Sequence, residues 1–381
     1  MTPVPFDLPL ATGEAAALAS LILEHAEGKP LTDDLRNRLA SRAAVLKMTS
    51  IRPYFASLEK DPIHPSTYYL AVDGLEAQPL LLHIAPATAP SSGIFPRAIL
   101  IGRMQAAGGG PRREIVVNAS PFAAADPDRV RAFAEEVNRA FLPRPQGSRP
   151  AISVGGLDHR LPELFEAFRS IFKSKGENLA SIRLSGTPET AAMWAAIRSG
   201  WREGYTLEND CIEVSGSTED DLSRSIELAK EAIRNCAGCT RFGVNTPGVS
   251  QDARLRINTE IYDFIREIKT RQKHVRTFDF DLRLHGAQEI GAQEIESGLQ
   301  RWKAEGRSAQ LISIDGESLP RLTELVSMAR EFRTMLSFDA GSGTDSELLK
   351  RVGNATNGKV DCKIAPGDPG QIAEVFRNVF G

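Results

Sequence analysis

The sequence lacks long apolar runs and a strong net charge. No apolar stretch approaches the roughly 18 residues of a membrane-spanning helix, and the N-terminus has neither the basic start nor the apolar middle of a signal peptide. The 46 Lys and Arg residues nearly balance the 49 Asp and Glu residues, which leaves a net charge of −3. This balance argues against a nucleic-acid or membrane partner. We therefore expect a cytoplasmic protein.

Cysteine and phosphate-binding motifs are also scarce. Four cysteines are too few for a disulfide framework in 381 residues, so a reducing compartment is expected. Cys236 and Cys239 form a Cys-x-x-Cys pair, but no second Cys pair or nearby His completes a tetrahedral zinc site. A structural role is favoured over a zinc or redox role. The Gly-rich tract 106–114 lacks the Lys-Ser/Thr of a P-loop, and a hairpin connection explains it more simply.

What the chain does contain is a repeat. Hydrophobic residues make up 41% and charged residues 25%, as in globular proteins. From about residue 150 a short apolar or alternating run, a turn and an amphipathic helix recur eight times, about 30 residues apart. The predicted strands are AISVG at 151, SIRLS at 181, CIEVS at 211, TRFGVN at 240, RTFDFDLRL at 276, AQLISID at 309, TMLSFD at 334 and VDCKIA at 360.

Alternating strands and helices of this number predict a parallel (β/α)8 barrel, a TIM barrel, over residues 149–381. An open doubly wound sheet is the alternative, but the Gly-x-Gly-x-x-Gly turn typical of it is absent. Residues 1–148 predict a smaller α+β domain with helices near 13–28 and 31–47. The Pro- and Gly-rich stretch 143–150 marks the boundary.

Strand alternation identifies the side chains that face the barrel axis. The inward set carries four cations and six anions, a net charge of −2 that one divalent cation would neutralise. Alternatively, these ion pairs only neutralise one another, above all low in the barrel at Asp279 and Arg183. The predicted inward residues are Ser153, Arg183, Ser185, Glu213, Arg241, Asn245, Thr277, Asp279, Asp281, Arg283, Ser313, Asp315, Ser337, Asp339, Asp361 and Lys363.

Carboxylates with few histidines favour Mg²⁺ or Mn²⁺ over Zn²⁺. The predicted metal ligands are Asp281, Asp315, Asp339 and Glu213. Arg241, Arg283 and Asn245 are predicted to bind an anionic substrate. Lys363 is a candidate general acid/base or imine-forming amine, since a desolvated lysine can titrate near neutrality. His159 and His285 fall on loops at the catalytic mouth, and His285 is the stronger acid/base candidate.

Two segments resemble a known family. Residues 204–213, GYTLENDCIE, followed by SIELAKEA, and residues 336–343, LSFDAGSG, leading into GKVDCKIA, are similar to the metal-dependent tagaturonate/fructuronate epimerases. Glu208, Asp210 and Ser342 match that family's pattern. Cys211 and Asp339 stand where the family has metal-binding histidines, and this chain is shorter.

The resemblance implies a barrel enzyme that inverts a hydroxyl-bearing carbon of a keto-uronic acid with a divalent metal. Asp281, Lys363 and His285 are then the candidate catalytic residues, and Ser342 joins the substrate-binding set. The expected activity is a sugar-acid isomerase or epimerase that abstracts a proton next to a carbonyl. The alternatives are an aldolase or lyase using Lys363, and a non-catalytic sugar-acid binding protein. A homodimer is expected only from the frequency of symmetric dimers.

Overall fold

The computed structural model describes most of the chain, and its contacts divide into two units. The first comprises Met1–Leu142 with Met193–Arg202, and the second comprises Pro143–Ala192 with Glu203–Gly381. The described residues are 11–49, 51–63, 68–74, 79–89, 94, 99–105, 114–123, 126–145, 149–155, 160–184, 189–236, 238–271, 281–284, 292–306, 311–314, 320–341, 345–365 and 369–381.

The first unit is an α+β structure around an antiparallel sheet. The strands lie in the order β1-β3-β4-β6-β5, and β2 pairs with β3. Their bounds are β1 Ile51–Pro53, β2 Glu59–Lys60, β3 Tyr68–Gly74, β4 Pro79–Pro86, β5 Ile99–Gln105 and β6 Glu114–Pro121. The helices are α1 Ala11–Ala26, α2 Asp33–Ala43 and α3 Pro127–Glu136.

Helices α1 and α2 share a core with this sheet. Leu18 and Ile22 lie four residues apart and are buried, as are Leu35 and Leu39. In β4, alternate residues beginning with Leu80 enter the same cluster. The apolar faces of α1, α2 and β4 thus pack together in one apolar layer. The predicted second helix ended near residue 47, whereas α2 ends at Ala43 and a 3₁₀ turn follows.

A buried ion triad joins residues 193–202 to the rest of the first unit. The Arg202 Nε donates to Glu59 Oε1 at 2.6 Å, and the Arg36 Nη2 donates to the same oxygen at 3.2 Å. Burial and the neighbouring Arg202 lower the pKa of Arg36. Arg202 also donates to the Ala56 carbonyl at 2.7 Å. Polar contacts therefore hold this late segment beside elements of the first 60 residues.

The second unit is a closed parallel barrel, which confirms the predicted fold class. Each strand pairs in parallel with the next, and β14 pairs with β7. The strands are β7 Ala151–Gly155, β8 Ala180–Leu184, β9 Thr206–Glu213, β10 Arg241–Asn245, β11 Asp281–Leu284, β12 Leu311–Ile314, β13 Met335–Asp339 and β14 Val360–Ile364. The helices of this unit are α4 Leu161–Lys175, α6 Glu219–Asn235, α7 Gln251–Arg271, α8 Ala292–Ala304, α9 Leu322–Glu331, α10 Ser346–Thr356 and α11 Pro369–Val375. Helix α5, Glu189–Ser199, is divided between the two units at Met193.

Helix α6 shows how the sequence specifies these helices. The Thr218 hydroxyl accepts a hydrogen bond from the Asp221 amide at 3.2 Å and caps the N-terminus. Leu222, Ile226 and Ile233 recur at helical spacing and are buried. An apolar stripe of this kind covers the barrel, and polar residues face solvent. Across the described residues, no helix is both long and apolar enough to cross a membrane.

The predicted third barrel strand began too late. It was placed at 211–215, whereas β9 starts at Thr206. The pairing of β9 with β10 shifts between Phe242 and Val244, so β9 carries an extra residue there. This bulge reverses the inward-outward alternation along β9. The inward residues of this strand therefore cannot be found by counting every second residue along its whole length. Residues 276–280 of the predicted fifth strand lie outside the described residues.

Gly353 in α10 provides a test of barrel packing. A Cβ there would lie 2.7 Å from the Val379 carbonyl oxygen, whereas a Cβ at Gly298 in α8 meets nothing within 4 Å. We expect Gly353→Ala to lower the free energy of unfolding by about 1–3 kcal/mol through overpacking. Gly298→Ala should raise it by about 0.5–1 kcal/mol through helix propensity. Urea denaturation of both variants measures the two free energies of unfolding. Equal changes in the two variants would contradict the close packing at Gly353.

Candidate functional site

Four charged side chains meet in the barrel lumen. Arg241 Nη1 lies 3.7 Å from Glu208 Oε2 and 3.6 Å from Asp361 Oδ2. Lys363 Nζ lies 3.9 Å from Glu208 Oε1. All four residues are at most 3% exposed. We call Glu208, Arg241, Asp361 and Lys363 the lumen cluster.

The strand order shows that these side chains point inward. β10 and β14 lie four strands apart in the closed barrel, so the Arg241–Asp361 pair joins opposite walls. Lys363 and Glu208 likewise lie on strands separated by β7 and β8. Contacts between such strands are formed only across the axis. The predicted inward orientation of Arg241, Asp361 and Lys363 agrees with these contacts.

Two serine hydroxyl groups donate hydrogen bonds to the lumen cluster. Ser153 Oγ on β7 donates to Asp361 Oδ1 at 2.7 Å, and Ser337 Oγ on β13 donates to Oδ2 at 2.8 Å. The carboxylate thus accepts from both neighbouring strands while it faces Arg241. Two carboxylates balance two cations in the cluster. Because buried charges are stable only when they are paired and hydrogen-bonded, the two serine hydroxyls and the nearby Arg241 compensate for the desolvation of Asp361.

The polar rim lies at the C-terminal ends of the strands, where barrel enzymes bind substrate. Asp339 ends β13, is exposed and pairs in register with Lys363; its Oδ1 accepts from the Gly341 amide at 3.0 Å. Glu213 ends β9, is exposed and pairs in register with Asn245. The mouth therefore presents two exposed carboxylates above the buried cluster.

Arg183 belongs to this end of the barrel and not to its lower half. It is the fourth of five residues in β8, and its Nη2 donates to the carbonyl of Ile364, the last residue of β14. The side chain is only partly buried. The position predicted for Arg183, low in the barrel, is therefore wrong. A guanidinium at the mouth is suited to bidentate recognition of a carboxylate.

For some predicted site residues the structure describes only the backbone, and others lie outside the described residues. Asp281 pairs in register with Arg241, and Arg283 pairs with Gly243, but their side chains are not among the described ones. His285, Asp315, Ser342 and His159 lie outside the described residues. Asn245 is half-buried at the end of β10. The roles assigned to these residues stay predictions.

Glu208 was missed as an inward residue when the strand was read from Cys211. The signal was present, because Thr206 and Glu208 alternate with the apolar Leu207, and all three are fully buried. The bulge farther along β9 reverses the alternation, so every second residue counted back from Cys211 does not include Glu208. Without Glu208, the contact partner of Lys363 could not be named.

This chain is similar in fold to a sugar-acid epimerase. The crystal structure of fructuronate-tagaturonate epimerase from Cohnella laeviribosi matches with a TM-score of 0.52 and 14% identity, covering 86% of this chain and 74% of that chain. At this identity the match shows a shared fold and no more. It agrees with the fold that the two resembling sequence segments imply.

Other solved barrels match less well. A putative fructose-1,6-bisphosphate aldolase from Coccidioides immitis has a TM-score of 0.36 and 15% identity, covering 66% of this chain and 89% of that chain. A GH39 β-xylosidase from Caulobacter crescentus has a TM-score of 0.33 and 12% identity, covering 62% and 74%. Neither supports an argument about function. No protein-family model and no curated protein sequence matches the chain.

The predicted metal site is described only in part. Glu213 and Asp339 offer carboxylate oxygens of the type that Mg²⁺ and Mn²⁺ prefer, at the catalytic end of the barrel. Within the ranges that the structure describes, no three His, Cys, Asp or Glu side chains form a ready metal cluster. Glu208 and Asp361 already face cations in the lumen. Any such site therefore needs Asp281 or Asp315.

Asp361 offers a direct test of the lumen cluster. We expect Asp361→Asn to lower the free energy of unfolding by about 3–5 kcal/mol, because it leaves the buried Arg241 with one carboxylate fewer. Glu231→Gln, which changes an exposed carboxylate on α6, should stay within about 0.5 kcal/mol of the parent. Denaturant titration gives both values. A small change at Asp361 would show that the cluster is not a compensated ion network.

Proposed function

We propose that this barrel is an isomerase or epimerase of small sugar acids, which moves a proton at the carbon next to a carbonyl. The observation that carries the proposal is Lys363, a buried ammonium held 3.9 Å from Glu208 beneath the carboxylate-bearing mouth. The fold likeness to an epimerase with a sugar-acid substrate and the two resembling segments support the substrate class. Proton transfer of this kind is catalysed by a general acid and a general base that are positioned at the substrate.

Lys363 acts as the acid in this proposal. Its ammonium donates a hydrogen bond to the substrate carbonyl oxygen and stabilises the negative charge that develops there when the neighbouring proton is removed. Glu208 keeps the ammonium positioned. The base is the predicted carboxylate Asp281 or Asp339, whichever does not bind a metal ion; Asp339 lies beside Lys363 in register and is exposed. His285 is the predicted second acid/base, which returns the proton.

The substrate anion is bound by arginine at the mouth. Arg183 lies at the C-terminal end of β8 and is partly exposed, so its planar fork can receive a carboxylate. Arg283, Asn245 and Ser342 remain the predicted additional contacts. Arg241 lies close to two carboxylates, Glu208 and Asp361, so we assign it to support of the cluster rather than to substrate contact.

Deuterium exchange tests the proposal. The protein is incubated with a panel of keto sugar acids in D₂O, and NMR follows deuterium at the carbon next to the carbonyl and the appearance of an epimer or isomer. Lys363→Met should lower the exchange rate by about 10²–10⁴, the usual contribution of one acid/base group. Lys350→Met, at an exposed lysine of α10, should leave it unchanged. Circular dichroism confirms that both variants fold.

The outcomes separate the function from the residue assignment. If no acid in the panel exchanges or reacts, the proposed function is wrong. If exchange occurs and Lys363→Met keeps the parent rate, the function stands and the role of Lys363 is wrong.

A second candidate function, an imine-forming aldolase or lyase, is favoured by the same lysine. A buried amine in a polar lumen is a suitable site for a covalent imine with a substrate carbonyl. Borohydride reduction in the presence of substrate distinguishes the two. A stable adduct on the peptide that contains Lys363 supports the imine route, and proton exchange without any adduct supports the isomerase.

We also propose a divalent ion at the mouth, held by Asp281, Asp315, Asp339 and Glu213. When bound, such an ion polarises the substrate carbonyl. Elemental analysis of protein purified without chelator should find Mg, Mn or Zn near stoichiometry, and Asp281→Asn should reduce the bound amount. Glu231→Gln is the matched surface control. Parent protein that neither retains nor is activated by any divalent ion would contradict this site.

A further inference from the structure

The Cys-x-x-Cys pair lies between α6 and β10, in a turn that brings the two residues together. Cys236 follows the last residue of α6, and the Cys239 amide donates to the Cys236 carbonyl oxygen at 2.9 Å. Both cysteines are free. The turn hydrogen bond therefore places the two cysteines close together at its ends.

The surroundings hold this turn in place from two sides. The Gly238 amide donates to Glu189 Oε2 at 2.7 Å, and the buried Lys269 Nζ donates to the Cys239 carbonyl at 2.6 Å. A Cβ at Gly238 would lie 2.3 Å from Glu189 Oε2, so a side chain there would displace Glu189. The two hydrogen bonds thus anchor the backbone on either side of the turn.

The two thiols differ in access and in acidity. Cys236 is half-buried, whereas Cys239 is fully buried. The hydrogen bond from Cys239 lowers the pKa of Cys236, against the opposing effects of burial and Glu189. The same hydrogen bond, with burial, raises the pKa of Cys239. One accessible and activated thiol beside one protected thiol is the arrangement that thiol–disulfide exchange requires.

We propose that Cys236 and Cys239 form a redox-active dithiol that is oxidised by low-molecular-weight disulfides such as oxidised glutathione. The Cys236 thiolate attacks one sulfur of the reagent, whose S–S bond breaks, and the first glutathione leaves as a thiolate that takes up a proton. The Cys239 sulfur, on losing its proton, then attacks Cys236 and displaces the second glutathione. The protein loses two electrons and two protons, and the reagent gains them.

The test uses the full-length protein with oxidised glutathione, followed by alkylation of the remaining thiols and peptide mapping by mass spectrometry. The parent protein should lose two alkylatable thiols and contain a Cys236–Cys239 linkage that dithiothreitol reverses. Cys239→Ser should accumulate one glutathione on Cys236, because the resolving thiol is missing. Cys236→Ser should leave Cys239 unmodified.

Cys362 is the internal control in each sample. It is fully buried in β14 and burial raises its pKa, so it should remain reduced throughout. Retention of both thiols in the parent protein, or a stable glutathione adduct on parent Cys236, would overturn the proposal. The parent mapping alone decides this, even if a serine variant fails to fold. Circular dichroism of the reduced variants identifies such a failure.

Discussion

Arg241 lies fully buried in the barrel between Glu208 on the adjacent strand and Asp361 on the opposite wall. A guanidinium cannot shed its charge inside a protein, so it is stable there only with anions close by. This requirement directs two carboxylates inward from strands far apart in the barrel order. Ser153 and Ser337 then supply the hydrogen bonds that the Asp361 carboxylate still needs.

The position of Lys363 depends on the same cluster. Glu208 faces both cations, so the carboxylate that partners Arg241 also orients the Lys363 ammonium. Toward the mouth the pattern changes, because Asp339 and Glu213 are exposed and Arg183 is partly so. A rigid, balanced interior thus supports a polar rim that is open to solvent. This division fits the proposed enzyme, whose fixed groups would meet a small charged substrate at one end.

Sequence periodicity predicted the barrel and three of the four residues of the lumen cluster. Alternation along the strands identified Arg241, Asp361 and Lys363 as inward residues, since one parity holds throughout a regular strand. It failed at Glu208 because the bulge in β9 changes the parity within one strand. Pairing across the lumen was also beyond a one-strand pattern, since it depends on how the barrel closes. The repeated strand and helix pattern therefore predicts the barrel. Which charged side chains pair across the lumen depends on how the barrel closes.

Residues 193–202 have a consequence for how the protein can be divided. They follow β8 in the chain, yet they belong to the first unit, where Arg202 joins Glu59 and Arg36. Neither unit is a continuous segment, and the chain crosses between them near residues 142, 192 and 202. A cut at the Pro-rich boundary would remove Arg202 from the first unit, so that its buried Glu59 would keep only Arg36 of these two partners. The two units alternate along the chain, so we expect them to be expressed and folded as one piece.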